Sequence, residues 1–256
     1  MKSFEACLFD YGNTIIEFDE PQLEFIRQHL TQAIGRLVKP ADRAVVARAL
    51  DRVCSLPFKG NPPEHRELTP FQEMDLFLRE VYGPDVDLPR DLVEEVNDAL
   101  QDIFLRCITI DEGTVRFLSG LSQRIRLGLI SNYPCGLSLR RSLKETGIIG
   151  FFNPILVSGD LGYVKPHPVL FKAALGALGL PAEKVLFVGD RWDADVVGPK
   201  DVGMKACHHV GYTSDTDLEE RYKVCRPDFQ IRRIEELEEI LFPCGKVKGQ
   251  LLPAEI

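Results

Sequence analysis

The chain has no Cys-x-x-Cys pair. Its seven cysteines (Cys7, Cys54, Cys107, Cys135, Cys207, Cys225 and Cys244) are odd in number and scattered, which removes zinc-ligand spacing and a disulfide framework and points to reduced thiols in a cytosolic protein. No apolar run approaches the length that spans a bilayer, and Met1 to Phe9 holds one lysine and an apolar stretch too short for a signal peptide. The expected location is therefore the cytoplasm. A basic excess is missing as well: the formal net charge is -8, which disfavours a nucleic-acid backbone or an anionic membrane as main partner. A small anionic substrate remains open if a cation or a local basic pocket receives it. There is no internal repeat, and no low-complexity tract beyond one proline-rich loop.

What is present is the composition of a soluble globular protein, 256 residues with 45% hydrophobic and 27% charged, enough for one large domain or two unequal ones. Residues 4–9, FEACLF, are short and apolar and are followed by Gly12 and Asn13, which favours a buried strand. The period then changes to helical. Leu23, Ile26, Leu30, Ala33, Ile34 and Leu37 form one stripe, with Asp19 as N-cap and Pro21 in the first turn. Asp42 starts a second helix carrying Val45, Val46, Leu50 and Val53. After the loop PFKGNPPEHREL (57–68), Thr69 with Gln72 makes a capping box ahead of Phe71, Met74, Leu78 and Val81. A fourth stripe runs through Leu92, Val96, Leu100 and Ile103, so the segment reads as a small helical bundle.

From about residue 110 helix and strand alternate. Strands are expected at 125–130, 154–157, 185–188 and 205–210, and helices at TVRFLSGLSQR, near Leu137, at 168–179 and at 233–241. Continuous apolar strands separated by helices imply a parallel sheet covered on both faces. The first strand belongs with the later ones, which makes the fold class α/β and the bundle an insertion. The expected division is 1–18 with 109–256 as a Rossmann-like core, and 19–108 as a helical cap.

In such sheets ligands bind beyond the carboxyl ends of the strands. The residues just past them here are Asp10, then Ser131 and Asn132 in LISNY, then Asp190, Asp193 and Asp195 in LFVGDRWDADVVG, with Lys165 in GYVKPHP before a helix. Singly, a strand-end acid is more often a helix cap, Ser-Asn a turn and a lone lysine a solvated charge. Together, Asp10, Asp190 and Asp195 would converge and repel: two carboxylates about 4 Å apart cost roughly 4 kcal/mol at an effective dielectric of about 20. A cation reverses the sign, and carboxylates with a backbone carbonyl and water suit Mg²⁺.

The four pieces LFDYGNT, LISN, KP and VGDRWDADVVG, in this order, resemble the haloacid dehalogenase superfamily of phosphohydrolases, over nearly the whole chain and including a helical cap inserted after the first strand. The resemblance implies a Mg²⁺-dependent phosphatase acting on a small phosphorylated metabolite. It makes Asp10 the nucleophile that forms an aspartyl phosphate. Ser131, Asn132 and Lys165 would bind phosphoryl oxygens, with Lys165 also screening Asp10, and Asp10, the Gly12 carbonyl, Asp190 and Asp195 would serve the metal. Asp193 either joins that shell or only caps the following helix.

The departure is Gly12, where most phosphatases of this family carry a second aspartate as general acid and base, a role worth about 10² to 10⁴ in rate. Three readings follow: a working phosphatase whose proton comes from water, substrate or the cap loop, where His65 is the titratable group suited to neutral pH; a 2-haloacid dehalogenase; or a catalytically weak binding or regulatory protein. Relatives with dehalogenase activity resemble D-x-Y, whereas Tyr11 stands one position away and would point elsewhere. Substrate choice is expected to lie in the cap, where Lys59, His65 and Arg66 either meet a second anionic group or are surface charges; the segment has more acidic than basic residues. The oligomeric state stays open.

Overall fold

A computed structural model describes residues 4–59, 62–212 and 217–243. Six parallel strands, β1 (Ala6–Phe9), β2 (Arg126–Ser131), β3 (Phe152–Val157), β4 (Val185–Gly189), β5 (Lys205–His209) and β6 (Phe229–Ile231), lie in the order β3-β2-β1-β4-β5-β6. The order reverses between β1 and β4, so the ends of these two strands frame the crevice where open α/β sheets take ligands. Strand alternation sorts the core onto two faces. Cys7, Phe9, Leu127, Leu129, Leu186 and Val188 pack on one, and Ala6, Leu8, Ile130, Val185 and Phe187 on the other.

Between β1 and β2 come α1 (Glu20–Leu37), α2 (Arg43–Cys54), the single turn α3 (Leu56–Lys59), α4 (Pro70–Tyr82), α5 (Arg90–Cys107) and α6 (Glu112–Ser122). The expected starts hold: the Gln22 side chain accepts from the Asp19 N–H, Asp42 caps α2, and Thr69 and Gln72 bond reciprocally. Each of the first four long helices buries its apolar stripe in a cluster separate from the sheet, with Leu30, Ile34, Val46, Phe77, Leu78, Val93 and Val96 inside. The chain continues through α7 (Gly136–Glu145), α8 (Ser158–Leu161) and α9 (Pro168–Leu178), then a π-helical turn (Trp192–Val197) leading into α10 (Gly198–Asp201), and ends on α11 (Leu218–Val224) and α12 (Leu237–Leu241). No helix among the described residues is long and apolar enough to cross a membrane. The six described cysteines form no disulfide; Cys244 lies outside the described residues.

One strand is added and two expectations are corrected. Strand β6, whose three residues are too few to show a period, is not among the strands expected from the sequence. The expected helix 233–241 begins as a 3₁₀ turn at Ile234–Glu236 before α12. Strand β3 starts at Phe152, earlier than expected, because β2 and β3 change register between Leu127 and Leu129. That irregularity is centred on Gly128, where a Cβ would meet Leu8 Cδ2 at 2.5 Å and the Pro154 carbonyl oxygen at 3.0 Å.

Gly128→Ala is expected to lower unfolding free energy by about 1 to 3 kcal/mol through overpacking between β1 and β3. Denaturant titration with the slope held constant checks it, and an unchanged midpoint would show that Leu8 moves aside freely.

Candidate active site

Asp10 follows β1 directly, and its N–H donates to the Val188 carbonyl at 2.9 Å, so β4 fixes its height above the sheet. Asp190 follows β4. Asp195 comes from the π-helical turn: its N–H donates to the Arg191 carbonyl at 2.7 Å, and its Oδ2 accepts the Arg191 N–H at 3.0 Å. The extra residue of a π turn swings Asp195 inward over Gly189, where any Cβ would overlap its carboxyl group. Carboxylate oxygens of Asp10, Asp190 and Asp195 all come within 4.8 Å of one another.

Lys165 joins them. Its Nζ donates to Asp10 Oδ1 and to Asp195 Oδ1, both at 2.7 Å, and the residue is 1% exposed. Burial works against the ammonium, but Asp10 and Asp195 outweigh it and hold its pKa above the usual lysine value. One cation among three acids leaves an excess of negative charge. Burial, partly offset by Lys165, pushes the Asp10 carboxyl up to about 6. Asp190 is raised well above the carboxylate range, first by burial and then by Asp10 and Asp195. An all-oxygen donor set with uncompensated charge fits a hard divalent cation such as Mg²⁺.

The expected anion binders lie where their motifs placed them. Ser131 ends β2 and lines the cavity with Lys165. Asn132 also lines it, yet its side chain is engaged elsewhere: Oδ1 accepts the Lys165 N–H at 2.7 Å and Nδ2 donates to the Lys165 carbonyl at 3.1 Å. The amide therefore fixes the Lys165 loop, with one of its two Nδ2 hydrogens committed there. Asp193 turns outward, pairing with Arg191 at 3.0 Å and capping Ala194 N–H at 2.9 Å. It stands apart from the acid cluster. Tyr11 points away from the cavity into the core, where its hydroxyl bonds Ser142 Oγ at 2.9 Å.

Of Lys59, His65 and Arg66, expected either to meet a second anionic group or to be surface charges, His65 and Arg66 do not line the cavity. The His65 carbonyl accepts the Val164 N–H at 2.8 Å. Arg66 stacks over the Tyr163 ring at 5.1 Å. The Lys59 side chain falls outside the described residues. Loop residues 65–67 act as a latch: the Glu67 N–H donates to the Gly162 carbonyl at 3.1 Å, and Glu67 Oε2 accepts the Ser158 hydroxyl at 2.5 Å.

The cavity holds about 360 Å³ and runs from the acid cluster to the inserted helices. Leu23, Ile26, Leu50, Leu100 and Phe104 form apolar walls, and Asp51, Cys54, Glu67, Glu73 and Gln101 provide polar groups above. Sequence reading missed these groups because they lie on helices or a loop with no motif around them. It also missed His208, buried in β5, whose Nε2 bonds the Asp190 carbonyl at 2.8 Å and whose Nδ1 bonds Tyr222 Oη at 2.6 Å. A carbonyl only accepts, so Nε2 carries the proton and Nδ1 accepts from the tyrosine. That pair secures the backbone of Asp190.

A family model described as haloacid dehalogenase-like hydrolase matches residues 4–203. The chain belongs to the haloacid dehalogenase-like hydrolases. It is 32% identical over 123 residues to the glyceraldehyde 3-phosphate phosphatase of Methanopyrus kandleri, covering 47% of this chain and 51% of that protein. It is 27% identical over 152 residues to the pyrimidine 5'-nucleotidase YjjG of Escherichia coli, covering 57% and 63%. The chain thus spans about half to two thirds of the length of these curated relatives. Among solved structures, the HAD-hydrolase YfnB of Bacillus subtilis bound to magnesium superposes with a TM-score of 0.68 at 22% identity, covering 94% of this chain and all of that one, and so shares its fold. Its curated relatives in that family include proteins named as phosphatases.

Removing one like charge tests the metal reading without turnover. Mg²⁺ is expected to raise the melting temperature of the wild type as any native-state ligand does. Asp190→Asn should melt higher than wild type in chelator, because a repelling carboxylate is gone, and should lose the Mg²⁺ response. A variant that still shifts with Mg²⁺ would remove Asp190 from the ligand set.

Proposed function

We propose that the chain is a Mg²⁺-dependent phosphatase that hydrolyses a small phosphomonoester through an aspartyl phosphate on Asp10. The observation that carries this reading is the buried Lys165 ammonium shared by Asp10 and Asp195, beside Asp190, at the floor of an enclosed cavity. In this reading Lys165 holds Asp10 Oδ1 and leaves the other carboxylate oxygen to attack phosphorus in line. The bond from phosphorus to the leaving oxygen breaks, water then cleaves the acyl phosphate, and Asp10 is regenerated with release of phosphate. Ser131 and Lys165 bind phosphoryl oxygens. Asp10, Asp190 and the Gly12 carbonyl hold the metal, with Asp195 fixed behind them by Lys165 and the Arg191 N–H. When bound, Mg²⁺ supplies Lewis-acid charge neutralisation at the phosphoryl group. Residues 19–108 serve as a cap over a core of 1–18 and 109–256, closing the site from water. Its separate apolar cluster supports that division.

The orientation of Tyr11 favours phosphoryl transfer over dehalogenation, since its ring is engaged with Ser142 rather than facing a substrate. A family-wide screen of phosphomonoesters with Mg²⁺ tests the reading. Asp10→Asn should fold and release phosphate at least about 10³-fold more slowly, because the near-isosteric amide is no nucleophile. A folded variant with wild-type turnover would sink the mechanism, and release of halide from a 2-haloacid in excess chelator would replace it with the dehalogenase.

The missing carboxylate at position 12 generates a further expectation. Without it, departure depends on the leaving group's own stability, so kcat/KM should fall steeply as leaving-group pKa rises across aryl, acyl, sugar 1- and alkyl phosphates. The nearest atom to a Cβ at position 12 would be Phe18 Cβ at 3.8 Å, and Gly12 is not in the left-handed region, so an aspartate fits. Gly12→Asp is expected to flatten the dependence and speed the poor leaving groups most. A wild-type plot that is already flat would show another proton donor in place.

A further inference from the structure

The upper half of the cavity contains ionisable groups that the chemistry on Asp10 does not use. Asp51 is paired with Arg27 at 3.3 Å. Glu67 and Glu73 have partners of another kind among the described residues. Glu67 accepts from the Ser158 hydroxyl at 2.5 Å and the Leu68 N–H at 3.0 Å, and Glu73 from the Cys54 thiol at 3.5 Å. Burial first, and then the neighbouring Glu67, pushes the Glu73 carboxyl up to about 7. Burial likewise raises Glu67 and keeps Cys54 a thiol. The described basic residues that line the cavity, Lys165 and Arg191, both belong to the floor and are held there by aspartates.

We propose that Glu73 and Glu67 select a phosphomonoester whose leaving group carries a protonated amine, held at these two carboxylates while the phosphoryl group lies on Asp10. The proposal rests on the phosphatase reading of the floor. Its physics is that of the acid cluster below: two half-buried carboxylates lining one cavity repel each other, and a cation placed with them turns that repulsion into attraction. A second anionic group on the substrate would meet the opposite force. The apolar walls accept the carbon chain between the two ends, and about 360 Å³ suits a molecule of that size. Gln101, whose Oε1 accepts the Tyr133 hydroxyl at 2.8 Å, leaves its amide as a neutral wall between floor and roof.

The test is a two-carbon series of nearly constant shape and changing charge: 2-aminoethyl, ethyl and carboxymethyl phosphate. Their kcat/KM values are compared within wild type, Glu73→Gln and Glu67→Gln, with p-nitrophenyl phosphate reporting the floor chemistry and calorimetry on Asp10→Asn reporting binding without turnover. In wild type, aminoethyl should exceed carboxymethyl phosphate by about tenfold or more, and the ratio should fall toward one in either variant. A wild-type ratio at or below one, or a ratio that survives both substitutions while p-nitrophenyl phosphate is cleaved, overturns the selection and leaves the phosphatase reading standing. If no ester is cleaved, the phosphatase reading fails. Tighter binding of the aminoethyl ester to Asp10→Asn that is lost when Glu73→Gln is added would then uphold the selection, and equal binding of the two charged esters would overturn it.

Discussion

The structure depends on a charge problem solved at one lysine. Three aspartates from two strand ends and a π-helical turn come within 4.8 Å of one another, and two of them, Asp10 and Asp195, share a single buried ammonium. An unpaired buried charge is costly, and truncating one partner of a buried pair costs about 3 to 5 kcal/mol. Lys165 therefore cannot be free to move, and the surrounding chain keeps it still. Asn132 grips its backbone on both sides, Asp10 is tied to β4, Asp195 is tied to Arg191, and His208 with Tyr222 ties the carbonyl of Asp190. The strand order supplies the reason that these groups meet at all, since β1 and β4 are neighbours in the sheet although the end of β4, Gly189, lies 179 positions after Asp10. The remaining negative charge is what a divalent cation would neutralise.

The inserted helices are coupled to that floor by their loop and not only by packing. Residues 65–67 bond to 162–164 and to Ser158, next to the segment that carries Lys165. The same residue, Glu67, both latches the loop and lines the cavity. The attachment of the inserted helices to the sheet and the electrostatic character of the roof are thus linked through one carboxylate. Tyr133 adds a second link, because it follows Ser131 and Asn132, stacks on Phe104 at 4.6 Å and donates to Gln101.

Wherever a local pattern repeats often enough to be seen, the sequence made the structure legible. The capping box at Thr69 and the stripes of α1, α2, α4 and α5 persist for three turns or more, and each folds as expected. The strand-end acids were legible for a different reason, since charged residues directly after apolar runs are few. Strand β6 has three residues and so no period, and the π turn adds one residue that no side-chain pattern announces. Asn132 and His65 show a further limit. The Asn132 side chain bonds the backbone of a residue more than 30 positions away, which no local pattern announces. For His65, which the sequence leaves open between a substrate contact and a surface charge, the backbone carbonyl is what joins the loop to Val164.

Glu73 carries that limit further. On the sequence it is one acidic residue in the first turn of a capped helix, a position favoured for acids by the helix dipole. In the fold the same residue lines the cavity with Glu67, is half-buried and accepts from the Cys54 thiol. The two ends of the cavity then share one feature, carboxylates that line it together. At the floor Lys165 meets part of their negative charge, and a divalent cation would meet the rest. At the roof Glu67 and Glu73 line the same wall, so a cation carried by a ligand would be drawn to them and an anion pushed away.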